Sequence, residues 1–179
     1  MSTFTLHTMD SAPAASKPLL ENSLKGFGMI PALHGMMAES PQLLEGYQRL
    51  HQLFQQTSFN KEELTVVWQS INVEHECHYC VPAHAMIADA MKVDPALTQA
   101  LRDQQPLAEP KLEILRETTL ILVRQRGQIS EAQLEAFYSA GYSQKNVLEI
   151  ILGISQKVMS NFTNHVADTP LDERFQPFA

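Results

Sequence analysis

The sequence predicts an all-α fold. Apolar residues recur at helical spacing in one segment after another, and most of those segments open on a capping residue. No stretch alternates apolar and polar residues long enough to make a strand. With 179 residues the chain is long enough to bury a core as one domain. Residues 1–20, poor in periodic apolar positions, are expected to form a flexible or extended N-terminal arm, and residues 21–179 a single all-helical domain.

Gly26 to Pro31 is a turn-rich lead-in. Ser40-Pro41 then places an N-cap before a proline at the first helical position, and Leu43, Leu44, Tyr47, Leu50, Leu53 and Phe54 carry an amphipathic helix to about Gln56. Asn60-Lys61-Glu62-Glu63 is a capping box, and Leu64, Val67, Trp68 and Ile71 form the apolar face of the helix it opens. Pro82 is tolerated only in the first turns of a third helix, which puts its start near His78 and its end at about Met91. Asp94-Pro95 opens a short helix to about Arg102. Gln104 to Pro110 is a linker, and Lys111 to Arg126 is a helix closed by Gly127. Ser130 to Gln133 is a further capping box, for a helix ending at Gly141. Ser143 caps a long last helix to about Val166, and the tail from Pro170 is irregular.

Charge narrows the function classes. Thirteen basic against twenty acidic residues give a net charge of −7, spread along the chain, where nucleic acid or an anionic membrane calls for clustered Lys and Arg. No apolar run approaches a bilayer span, and Met1 to Pro18 lacks the apolar core of a leader. A cytoplasmic location is therefore expected, where cysteines stay reduced unless they are redox-active or bind metal.

The chemistry concentrates in His75-Glu76-Cys77-His78-Tyr79-Cys80-Val81-Pro82-Ala83-His84, which holds both cysteines and three of the seven histidines. If the segment is helical from Cys77 onward, Cys77, Cys80 and His84 share one stripe at i, i+3 and i+7. Cysteine reacts as the thiolate, and a helix N-terminus with a nearby imidazole favours that form. Peroxide reduction follows: one sulfur becomes a sulfenic acid, and the second condenses with it to a disulfide. The spacing assigns the attack to Cys80, proton acceptance to His84, and resolution to Cys77 as the better exposed thiol where a reductant enters. A zinc site, with His75, His78 or His84 completing the ligands, is the weaker reading, because one short segment can hardly wrap a tetrahedron. No metal or other cofactor is expected. Trp68 and the Met29–Met37 segment read as core or subunit interface, and His165 as a capping or packing residue.

Cys77-x-Tyr79-Cys80-x-x-x-His84, together with Gly28-x-Ile30-Pro31, Ser40-Pro41-x-Leu43-Leu44, Ala140-Gly141-Tyr142, Val147-Leu148-Glu149, Asn161-Phe162-Thr163-Asn164-His165 and Thr169-Pro170-Leu171-Asp172, resembles the carboxymuconolactone decarboxylase superfamily in its alkylhydroperoxidase D-like branch. The resemblance implies a compact multi-helix domain with the C-x-x-C at a helix N-terminus and thiol-dependent reduction of hydroperoxides. It also implies a homo-oligomer, trimer or hexamer, recycled by a thiol-disulfide or lipoyl-bearing donor protein. The superfamily's decarboxylases lack the cysteine pair, so its presence argues against lactone chemistry. One position departs from the pattern. The family's peroxidases carry a relay glutamate twelve residues before the first cysteine, and Thr65 stands there. Glu62 and Glu76 are the nearest substitutes on that face, while Glu63 points to the other side. Without the carboxylate the expectation is a redox disulfide with reduced or altered turnover. A redox-sensing or interaction protein is the first alternative, and a non-redox lyase or isomerase on the same scaffold the second.

Overall fold

Capping chemistry sets where the helices begin. In the computed structural model, which describes residues 3–179, nine α-helices follow one another with no strand among the described residues. They are α1 (Lys17–Phe27), α2 (Ala32–Met37), α3 (Pro41–Gln55), α4 (Lys61–Glu74), α5 (Cys80–Ala90), α6 (Pro95–Arg102), α7 (Pro110–Arg124), α8 (Glu131–Ser139) and α9 (Gln144–Ala167). Ser40 accepts from Leu43 N, and Asn60 with Glu63 and Ser130 with Gln133 form reciprocal boxes, as their spacing predicts. Ser143 pairs in the same way with Asn146 at the head of α9.

The centre of the molecule is α4. Ten of its residues are buried, among them Thr65, Gln69, Ser70 and Asn72, because α5, α6, α7 and α9 all pack around it. A helix covered on every side normally reads as apolar all round, so its buried polar side chains mark where it meets other polar groups. Phe54, Val67, Trp68, Leu115, Phe137 and Ile150 belong to one apolar cluster. Leu20, Met37, Leu44, Tyr79 and both cysteines belong to a second.

Gly153 is where α9 meets α3 and α4. A Cβ there would lie 2.7 Å from Phe54 Cε2 and 3.0 Å from Val67 Cγ1. Gly153→Ala is therefore expected to destabilise the fold by about 1–3 kcal/mol through overpacking, read as a lower midpoint in denaturant titration. The gain in helix propensity, about 1 kcal/mol, offsets only part of the clash.

The structure differs from the sequence reading at three places. The stretch expected as a flexible or extended arm, 1–20, is packed. Met1 and Ser2 lie outside the described residues, but His7 N donates to Gly35 O at 3.2 Å, Ser16 Oγ donates to Ala38 O at 2.6 Å, and α1 starts at Lys17. The absence of a side chain at Gly35 allows this, since a Cβ there would meet His7 O at 2.8 Å. The third helix is regular only from Cys80, two residues past the start the sequence predicts. Val81 N already donates to Cys77 O at 3.1 Å, but Pro82 has no N–H to give to His78 O, and a left-handed Glu76 (φ 51°) ends the α4 path before it. The tail forms a 3-10 segment, Glu173–Phe178, that packs on α5. Among the described residues no helix is long and apolar enough to cross a membrane.

Candidate active site

Cys80 is the first residue of α5, so its sulfur sits at the positive end of an eleven-residue helix. Cys77 lies in the turn before it, not on the helical stripe the spacing suggested. The two cysteines are free and still come within 3.4 Å of each other, since Cys80 N donates to Cys77 Sγ at 3.3 Å. Two side chains of α4 hold this N-terminus in place. Gln69 Nε2 donates to Val81 O at 3.0 Å, and Asn72 Nδ2 to Cys80 O at 3.3 Å. Asn161 Nδ2 in turn donates to Asn72 Oδ1, which ties the arrangement to α9.

Both sulfurs are out of solvent, with Cys77 0 % and Cys80 2 % exposed. The expectation that Cys77 is the better exposed thiol is thus corrected: the turn at Glu76 tucks it inward against Asn164 of α9. The two thiols nevertheless border different cavities. Cys80 faces a narrow one of about 50 Å³ walled by Phe27, His34, Tyr47, His51, Tyr79 and Phe175. Four of those residues, Phe27, His34, Tyr47 and His51, also line an outer cavity of about 700 Å³. Cys77 borders a shallower cavity of about 280 Å³ with His78, Pro82, Arg102 and Ala179.

The sulfur of Cys80 is surrounded by donors. Asn164 Nδ2 lies 3.2 Å away, the Cys77 thiol is within 3.4 Å, and the Lys157 charge acts on it from α9. A neutral thiol is a weak acceptor and a thiolate a strong one, so this convergence favours the anion. Burial alone would raise the Cys80 pKa. The Cys77 thiol, the Lys157 charge, Ser160 and Asn161 overcome it and bring it down to about 5. Cys77 moves the other way, because its hydrogen is committed to Cys80 and burial adds to the effect. The pair therefore shares one proton, held on Cys77.

His84, assigned from spacing as the base for Cys80, is engaged elsewhere. Among the described residues its Nε2 pairs with Lys157 Nζ at 2.9 Å and its Nδ1 has no partner, and neither nitrogen bonds Cys80. Burial first, then Lys157 and His51, hold its pKa well below the ordinary value, so it stays neutral. One turn along α5 brings His84 to the cavity that Cys80 also lines, but its Nε2 is taken by the amine of α9. His34 and His51 are likewise neutral, lowered by burial to about 3 and about 4.

Thr65 is buried, and its hydroxyl donates to Lys61 O at 2.8 Å without touching either sulfur. Neither proposed substitute takes over the carboxylate's place. Glu62 pairs with Lys61 at 3.5 Å, and Glu76 is exposed on the turn. Glu63 closes its capping box and pairs with Lys111 at 3.2 Å. His75 and His78, ligands in the zinc reading, bond Asn161 and Thr169 O instead, and no group of three or more His, Cys, Asp or Glu among the described residues could hold a metal ion. His165 is exposed, while Asn161 and Asn164 of the same motif point inward.

Lys157, Asn164 and Ser160 are the site residues that the sequence reading missed. A signal was present: Ile150, Gly153, Lys157, Ser160 and Asn164 recur every three or four residues, which places a lysine on the core-facing side of α9.

Solved structures share this architecture. A peroxidase-related protein from Ralstonia eutropha JMP134, described as an alkylhydroperoxidase AhpD core, superposes with a TM-score of 0.85 at 16 % identity, over 97 % of this chain and 94 % of that one. The chain has the alkylhydroperoxidase-core fold. A peroxidase-related protein from Silicibacter sp. TM1040 shares that core with a TM-score of 0.82 at 18 % identity, over 99 % of this chain and 96 % of the other. The debrominase Bmp8, solved as a cysteine-to-alanine variant in complex with 2,3,4-tribromopyrrole, has the alkylhydroperoxidase-core fold at a TM-score of 0.76 and 15 % identity, covering 99 % and 97 %. No protein-family model matches the sequence, and no curated protein matches it.

Proposed function

We propose that the protein is a thiol-dependent oxidoreductase that reduces hydroperoxides through a Cys77–Cys80 disulfide. The observation that carries this reading is the pair itself: two free sulfurs in contact at a helix N-terminus, one favoured as the thiolate and the other holding the proton. Cys80 attacks the terminal oxygen of the hydroperoxide, forming an S–O bond as the O–O bond breaks and an alcohol leaves. Cys77 then attacks the sulfenic sulfur, the S–S bond forms and water leaves. A dithiol donor, of the thiol-disulfide or lipoyl-bearing kind, reopens the disulfide by exchange.

The two cavities support separate routes, with substrate approaching Cys80 from the aromatic side and the donor approaching Cys77 across His78 and Arg102. The outward side of α9 leaves Leu148, Ile151, Phe162 and Val166 exposed, which favours assembly with further copies of the chain.

Adding one equivalent of an organic hydroperoxide to the reduced protein is expected to remove both free thiols within seconds. Oxidation as slow as that of free cysteine would sink the reading. A second reading is thiol-driven removal of halogen from an aromatic ring. It is favoured by the rings that wall the Cys80 cavity and by the likeness to a debrominase. Halide release from a brominated pyrrole, with no reaction of hydroperoxide, would select it.

A further inference from the structure

Lys157 is wholly buried in the middle of α9. Placing an ammonium there costs several kcal/mol unless an anion stands beside it. The titratable groups that face it are His51 from α3, Cys80 and His84 from α5, and Cys77 from the turn before α5, with Tyr47 of α3 beside the two thiols and His34 of α2 in contact with Tyr47. Tyr47 is held protonated by burial and by the nearby thiols, and the histidines are held neutral. Among the described residues no carboxylate pairs with the amine. Burial lowers the pKa of the amine, the two sulfurs oppose that, and Cys80 remains as its counter-ion.

We propose that Lys157 is a catalytic residue: its ammonium keeps Cys80 as the thiolate in the resting dithiol, and when Cys80 attacks a hydroperoxide it gives its proton to the departing alkoxide. His84 is a positioning residue, accepting at Nε2 the hydrogen bond that aims the amine at the sulfur. The second half of the proposal rests on the hydroperoxide reading, whereas the first half does not.

The steps balance. The Cys80 thiolate, the hydroperoxide and the Lys157 ammonium give the Cys80 sulfenic acid, an alcohol and the Lys157 amine. The amine takes the Cys77 proton as the S–S bond forms, and the hydroxide leaving the sulfenic sulfur recovers it as water. A dithiol donor then supplies two electrons and two protons, one reaching Cys77 and one Lys157.

Two reagents separate the roles. Alkylation by iodoacetamide expels iodide, which needs no proton, whereas hydroperoxide expels an alkoxide, which does. In Lys157→Met the midpoint of the alkylation pH profile is expected to rise from about 5 towards the ordinary cysteine value, about 8.5. Near pH ~6 the thiolate fraction then falls several-hundred-fold, but a more basic thiolate is the better nucleophile, so the alkylation rate drops only about tenfold. Relative to alkylation at the same pH, the hydroperoxide rate is expected to fall a further ~10²-fold for want of the acid. Lys157→Arg, which keeps the charge, is expected to keep the low midpoint.

A natively folded Lys157→Met protein whose midpoint stays at the wild-type value overturns the ion pair. A hydroperoxide rate that falls no further than the alkylation rate overturns the proton transfer. If neither variant folds, the wild type decides. One lysine ε-carbon NMR resonance is expected to shift when the dithiol is oxidised, and its absence rejects the assignment. If the alkylation profile moves as expected while hydroperoxide leaves the wild type untouched, the ion pair stands and only the peroxidase reading falls.

Discussion

Cys80→Ser is expected to lower hydroperoxide reduction by a factor on the order of 10³ or more, because a serine hydroxyl is not ionised where the Cys80 thiol is. Cys77→Ser is expected to behave differently. Its first turnover still proceeds, since Cys80 keeps Lys157 and Asn164 around its sulfur. The protein then stalls as a sulfenic acid that dimedone traps, with one alcohol released per chain. The serine hydroxyl also donates to the Cys80 sulfur, so that first turnover is expected to keep the low Cys80 pKa. Burst kinetics and mass spectrometry of the dimedone adduct check both results. A burst in Cys80→Ser and none in Cys77→Ser would reverse the two roles.

Trp68→Ala is expected to be the most destabilising single change in the core, at about 3–5 kcal/mol. Trp68 is 1 % exposed and touches three other helices, α3, α5 and α9. Its ring stacks on His51 at 5.4 Å, meets Phe54 at 5.2 Å and His84 at 4.8 Å, and its Nε1 donates to Gln156 Oε1 at 2.8 Å. For a chain of 179 residues the expected loss corresponds to a fall in Tm on the order of 10 °C. Trp68→Phe isolates the polar part. It keeps most of the ring volume but leaves the Gln156 carbonyl unpaired, at a cost of about 1–3 kcal/mol. Calorimetry is the appropriate measurement, because this is the only tryptophan and its fluorescence disappears with it. Equal Tm losses in both variants would mean that the hydrogen bond, not the packing, dominates.

Much of the helical framework was legible because its signals are local. Ser40-Pro41, Asn60 with Glu63, and Ser130 with Gln133 each act within one turn, so spacing alone locates α3, α4 and α8. α1 and α2 escaped the reading for the converse reason. Neither has a side-chain cap, and α2 is six residues long, too short to show a period. Their helicity comes from the packing that buries Leu20, Leu33 and Met37. The left-handed turn at Glu76, which ends α4, had no glycine to announce it.

By itself the sequence determined that the chain is helical, roughly where most helices start, and that the chemistry lies in one dithiol segment. Those properties depend on residues within a few positions of one another. Which sulfur is favoured as the anion, and which group holds the proton, were decided only when α9 packed against α5. That contact brings Lys157 and Asn164 to Cys80 across 77 and 84 residues of chain. No periodic pattern within α5 carries such information, because the stabilising charge belongs to another helix and gains its strength from the exclusion of water between the two.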